Sequence, residues 1–210
     1  EYENIKYGYK GKIYLEITSK TFNIVFKSGD KLNQLRLRNK KTYYLSDSFL
    51  KKLNQKNSLL FNNVGKAINP DIKDGLKVKA DLLNKNEIVA FKAKKKSPKI
   101  YFDRLKSYKV KDYWIPIKSR KANSIIIEPN EFYILKSKEK IYIPPRFAAE
   151  MIPYDTNIGE FRVHYAGFFD PGFGGYKCGS FAVLEIKTYE VPFSFQDGQS
   201  VARLIFEKLA

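Results

Sequence analysis

Two stretches of this chain repeat one another 169 residues apart. Leu15-Glu16-Ile17 lines up with Leu184-Glu185-Ile186, and without a gap Phe22, Ile24 and Phe26 then face Val191, Phe193 and Phe195. Gly29 faces Gly198, Leu35 faces Leu204, and Leu37 faces Phe206. Upstream, Gly8-Tyr-Lys-Gly11 matches Gly172-Phe-Gly-Gly175 at an offset of 164, so the second copy carries five extra residues. A shared glutamate, a shared glycine and matched apolar alternation read as a tandem duplication, which limits the chain to folds made by repeating one β unit.

The rest of the pattern is also that of strands. Runs of β-branched and aromatic residues recur at 12–17, 21–26, 31–37, 76–83, 87–92, 124–127, 132–135, 161–165, 181–186 and 192–195. Turn-prone Thr18-Ser-Lys20, Asn86 and Pro129-Asn130 punctuate them. β-branched and aromatic side chains fit a pleated, half-buried surface, and period-two alternation such as that of 31–37 marks its buried face. One helix is expected after Ser46, a candidate N-cap, with Phe49, Leu50 and Leu53 on one side. Many short, regularly spaced strands predict an all-β sandwich or barrel.

Three units are expected along the chain: 1–45 as the C-terminal part of a truncated first repeat, 46–112 as a helix with connecting strands, and 113–210 as the second repeat. The first copy has almost nothing before its glycine pair, and Met151 is the only methionine. A segment that begins inside repeat one, and stops soon after a strand in repeat two, is therefore expected.

Composition narrows the function. The 210 residues carry a formal charge of +17 with 43% hydrophobic and 15% aromatic residues, which excludes a disordered chain. No run approaches the roughly 18 apolar residues of a membrane span, so no membrane partner is expected. One cysteine, Cys178, and one histidine, His164, exclude an internal disulfide framework and a multi-Cys zinc site. Residues 1–118 hold 28 Lys and Arg against 11 acids, the whole of the excess, whereas 119–210 balance at 11 against 11. Lysine outnumbers arginine 32 to 7. Base and phosphate readers favour the bidentate arginine fork, so this surface reads as a solvated face and nucleic acid is not the expected partner.

The segment Ala166-Gly-Phe-Phe-Asp-Pro-Gly-Phe-Gly-Gly175 resembles the hairpin motif of the dUTPase and dCTP deaminase superfamily, A-G-x-x-D-x-G-aromatic-x-G. Val183-Leu-Glu-Ile186 resembles the strand that carries the catalytic glutamate of dCTP deaminases. Gly198-Gln-Ser-Val-Ala-Arg-Leu204 resembles the later G-x-x-I-A-Q-L motif, and Gly29-Asp-Lys-Leu-Asn-Gln-Leu35 is closer still. The stretch 148–167 is similar to the long, tandem-duplicated bacterial dCTP deaminases. The resemblance implies a dUTPase-like distorted jelly-roll or β-barrel, internally duplicated, with one or two short helices.

It also implies roles. Glu185, and its repeat-one counterpart Glu16, become the candidate catalytic acids and bases. Asp170 would hold the deoxyribose 3′-hydroxyl, Phe173 would lie against the sugar, and Ala166 and Gly167 would offer backbone groups to the base. The residues alone leave these open: Glu185 as an outward glutamate on an amphipathic strand, Asp170 as the cap of an Asp-Pro-Gly turn, Phe173 as a core aromatic. A zinc deaminase needs an H-x-E…P-C-x-x-C site, which one His and one Cys cannot build, so a desolvated carboxylate would shuttle the protons. The family's R-S-S-x-x-R motif is missing from 152–157, and repeat one has Lys6 where repeat two has Asp170. The two repeats are therefore expected to supply different parts of the site, and the segment as cut to be incomplete alone.

The expected function is zinc-independent deamination of dCTP to dUTP, Mg2+ arriving with the triphosphate, in a cytoplasmic, trimer-like homo-oligomer that binds dCTP and dUTP. The alternatives are dUTP pyrophosphatase activity, both reactions together, or a non-catalytic nucleotide- or nucleic-acid-binding β module.

Overall fold

The structure, a computed structural model, describes residues 5–37, 43–83, 88–119, 123–153, 167–175 and 178–209, and the backbone of 162 and 163. In chain order the elements are β1 (Ile24–Val25), α1 (Asp47–Lys56), β2 (Leu60–Phe61), β3 (Leu76–Lys79), β4 (Ile88–Ala93), β5 (Ile100–Tyr101) and α2 (Val110–Tyr113). Then follow β6 (Trp114–Lys118), β7 (Ser124–Ile127), β8 (Phe132–Ile141), β9 (Phe147–Pro153), β10 (Arg162–Val163), β11 (Phe168–Phe169), β12 (Ser180–Lys187), β13 (Phe193–Gln196) and β14 (Ser200–Lys208).

Two sheets carry the fold. One has the order β10-β12-β8-β4-β6 with β2 also on β8; the other has the order β11-β9-β14-β3. β13 pairs with β7, and β1 with β5. The inward rows supply one contiguous core that includes Leu76, Val78, Tyr133, Leu135, Leu184, Ile186, Leu204 and Phe206. Strands from residues 46–112 and from 113–210 stand side by side in both sheets, since β4 pairs with β8 and β3 with β14.

β8 shows how alternation makes this geometry. Tyr133, Leu135, Ser137, Glu139 and Ile141 are buried while the residues between them are not. The alternation runs ten residues, against an apolar run that ends at 135, because outward Lys136, Lys138 and Lys140 interrupt the hydrophobicity without interrupting the period. The helix forms as expected, with Phe49 N–H donating to Ser46 Oγ at 3.3 Å and Leu50 and Leu53 buried. Asp47 at its start accepts from the amides of Asp74 and Gly75 at 2.8 and 2.9 Å. Lys94, Lys95, Lys96 and Lys99 lie in the loop from β4 to β5.

The first copy of the repeat departs from the strand pattern. Among its described residues only Ile24–Val25 forms a strand, and 12–17 and 31–37 form none. Leu15 and Ile17 are 51% and 46% exposed, whereas Leu184 and Ile186 are fully buried. Alternation says which face of a strand would be apolar. A strand also needs a ladder to satisfy its backbone N–H and C=O groups. β12 has β8 and β10 on its two sides, and 12–17 has no partner among the described residues.

Candidate active site

Glu185 projects from β12 on the face opposite the core. Ala182, Leu184 and Ile186 point inward, Val183 is 64% exposed, and Glu185 is half-buried between those limits. Its ladder partner is Ile134 on β8, which in turn faces Phe91 on β4. A cavity of about 410 Å3 runs along this outer face, lined by Ile134, Val183, Phe91, Ile88, Lys136 and Asp81 among others. The two same-face neighbours of Glu185, Ile134 and Val183, both line it. Loss of water at this mostly apolar surface pushes the Glu185 carboxyl above its ordinary value, because burial penalises the charged form.

Charge enters the cavity from one side. Lys136 Nζ pairs with Asp81 Oδ2 at 2.8 Å and stands 4.4 Å from the centre of the Phe181 ring. The sequence reading passed over Lys136, Asp81 and Phe91. The outward row of β8, read at period two, was the signal that could have found Lys136; the approach of Asp81 and Phe91 depends on the order of strands in the sheet.

The glycine-rich turn lies between the sheets, with β11 before it in the four-stranded sheet and β12 after it in the six-stranded one. Gly172 N–H donates to Ile143 O at 2.9 Å, and Ile143 N–H returns a bond to Phe173 O at 3.0 Å. Phe173 is half-buried against the core, its ring edge-on to Phe169 at 4.8 Å. Asp170 is exposed at the start of the turn; its carbonyl accepts from Phe173 N–H at 3.1 Å and its Oδ1 from Gln34 Nε2 at 3.5 Å. Gly167 gives its carbonyl to Met151 N–H at 2.7 Å, and a Cβ on it would stand 2.7 Å from Met151 Cβ. Close approach to β9 therefore requires glycine there.

Gly167, Asp170 and Phe173 thus lie along or just after the edge strand of the four-stranded sheet, while Glu185 stands on the neighbouring sheet. No hydrogen bond or ion pair joins Glu185 to Asp170. Ala166 lies outside the described residues. Glu16 is exposed in a stretch without regular structure, so the equivalence of the two glutamates in sequence is not an equivalence of surroundings. Among the described residues no group of three or more His, Cys, Asp and Glu side chains could hold a metal ion.

A β fold of the dUTPase-like class, with a glycine-rich turn leading into the strand that carries a half-buried glutamate, is what the sheets and this site define. The model of the 2′-deoxycytidine 5′-triphosphate deaminase C-terminal domain matches residues 46–210, and that of the N-terminal domain matches residues 1–41. The chain belongs to the 2′-deoxycytidine 5′-triphosphate deaminase family. It is similar to the crystal structure of 2′-deoxycytidine 5′-triphosphate deaminase from Agrobacterium tumefaciens, at 40% sequence identity and a TM-score of 0.70. That match covers 79% of this chain and 48% of the other, so the chain spans about half the length of this relative. None of the curated proteins matches it.

Proposed function

We propose that this chain is part of an enzyme that hydrolyses dCTP to dUTP and ammonia, with Glu185 as general base and then general acid. The observation that carries this reading is the half-buried Glu185 with its raised carboxyl, on the strand that follows the turn of the family's hairpin motif. A carboxylate of that kind takes a proton from water as the oxygen adds to C4 of the cytosine. It then gives the proton to the amino nitrogen as the C4–N bond breaks and ammonia leaves. Such shuttling is worth about 10²–10⁴ in rate, and it is favoured when the pKa moves toward the working pH.

Asp170 serves in this reading as acceptor for the sugar 3′-hydroxyl, since its exposed carboxylate projects from a turn pinned to Ile143. Phe173 offers an apolar edge to the sugar. Gly167, its carbonyl engaged by Met151, would offer its N–H to the base, and Ala166 precedes it. No zinc takes part, because one His and one Cys cannot form the zinc-deaminase ligand set. Magnesium comes with the triphosphate as part of the substrate. By analogy with the family the assembly is trimer-like, with the two repeats supplying different parts of the site, within a cytoplasmic enzyme. Among the described residues no helix is long and apolar enough to cross a membrane.

The test is ammonia release and dUTP formation from dCTP by the full-length protein, comparing Glu185→Gln with Glu16→Gln. Glu185→Gln should lower kcat by about 10²-fold or more, while Glu16→Gln stays within about twofold. A Glu185→Gln variant with undiminished turnover overturns the assignment.

A further inference from the structure

Arg36 reaches the four-stranded sheet from the N-terminal segment. Its Nη1 donates to Glu207 Oε1 at 2.9 Å and its Nη2 to Glu150 Oε2 at 3.5 Å. The guanidinium carbon stands 4.1 Å from the centre of the Phe168 ring. One side chain therefore touches β14, β9 and β11 together. The Glu207 side chain is only 5% exposed, so this pair is less screened by water and salt than a surface ion pair. Two residues earlier in the chain, Gln34 donates to Asp170.

β11 needs such a clasp. It is two residues long, lies at the edge of its sheet, and among the described residues has β9 as its one partner strand. A ladder this short opens easily, and Asp170 is the next residue in the chain. Only arginine has both the planar fork that spans two carboxylates and the flat face that stacks on an aromatic ring.

We infer that Arg36 is a positioning residue for the sugar end of the site, holding Phe168 in place and so setting where Asp170 stands. This rests on the reading of Asp170 given above. Arg36 lies in the part of the chain matched by the N-terminal domain model, whereas Phe168, Glu150 and Glu207 lie in the part matched by the C-terminal one. The selectivity of the C-terminal domain for its sugar thereby depends on a residue of the N-terminal segment.

The test uses the full-length protein and its Arg36→Lys and Arg36→Met variants, with kcat and KM measured for dCTP and CTP. Arg36→Met should raise KM for dCTP about tenfold with kcat within about twofold, and the dCTP-over-CTP preference should fall about tenfold, one factor of ten being about 1.4 kcal/mol. Arg36→Lys should fall between. A folded variant whose sugar preference is unchanged overturns the inference, because a merely structural role would affect both nucleotides alike. Phe168→Leu, which removes the stacking face and keeps both ion pairs, should lower the same preference if the Arg36 variants do not fold; an unchanged preference there also overturns it. Hydrogen exchange at the Phe168 and Phe169 amides separates this from the deaminase reading. If the wild-type protein leaves dCTP intact, that reading fails, yet exchange in Arg36→Met should still quicken about tenfold or more, and unchanged exchange overturns the clasp.

Discussion

Gly174 lies against the backbone of Ile141. Its φ is +84°, and a Cβ on it would overlap the Ile141 carbonyl oxygen and come 2.9 Å from the Ser180 amide nitrogen. This contact joins the turn before β12 to the end of β8, the two strands that position Glu185 and its neighbour Ile134. Gly174→Ala should cost about 3 kcal/mol of stability, from backbone strain and displacement of main-chain atoms together. Gly172 has the same φ sign but open space around it, so Gly172→Ala should cost about 1–2 kcal/mol. Urea denaturation of the two variants checks the order, and equal costs would remove the steric argument.

The two faces of β12 can be told apart by truncation. Leu184 is fully buried and Val183 is 64% exposed. Leu184→Ala should destabilise by about 2–5 kcal/mol, and Val183→Ala by about 0.5 kcal/mol or less. A costly Val183→Ala with a cheap Leu184→Ala would put Glu185 on the core side, away from the face that Val183 and Ile134 share with the cavity.

The acid limb of the pH–rate profile should report Glu185. As the base in the free enzyme it must be ionised, so kcat/KM should fall as pH drops through its pKa. Burial raises that value, which places the limb above the ordinary carboxylate value of 4.5. A limb at or below 4.5, or one that persists in whatever activity Glu185→Gln retains, would assign the proton to another group.

Glu139 predicts a second pH effect, on stability. It occupies a core-facing position of β8, is 7% exposed, and accepts from Lys79 N–H at 3.3 Å. Burial raises its carboxyl above the ordinary 4.5, so the folded chain holds this proton more tightly than the unfolded one. Below about 4.5 both states are protonated and Glu139 adds no pH dependence. As pH rises from there through the folded value, the unfolded state binds fewer protons and stability falls. Glu139→Gln removes this contribution, so the wild-type protein should lose more stability than the variant between pH 4.5 and neutrality. Parallel losses in urea denaturation would show that burial of Glu139 has no such consequence.

Much of the candidate site was legible in one dimension. The Asp-Pro-Gly turn, the glycines after it and Glu185 between apolar residues are local features, set by backbone conformation and side-chain alternation over a few residues. The same rule identified β7 and most of β12, and Ser46 marked the start of α1. It failed for 12–17 and 31–37, because alternation is identical whether or not a neighbouring strand is there to complete the ladder. It also could not separate Glu16 from Glu185, which carry the same flanking residues in sequence and differ entirely in what covers them.

What the amino-acid sequence determined by itself is therefore the β class, the hairpin turn and the residue types available for proton transfer, since these depend on local propensity and periodicity. Tertiary structure alone decided that Ile134, Phe91, Lys136 and Asp81 line the surface beside Glu185, and that Arg36 meets Glu150, Glu207 and Phe168 more than a hundred residues away in the chain. The order of strands in a sheet brings such residues together, and that order is chosen by the packing of the whole core rather than by any one segment.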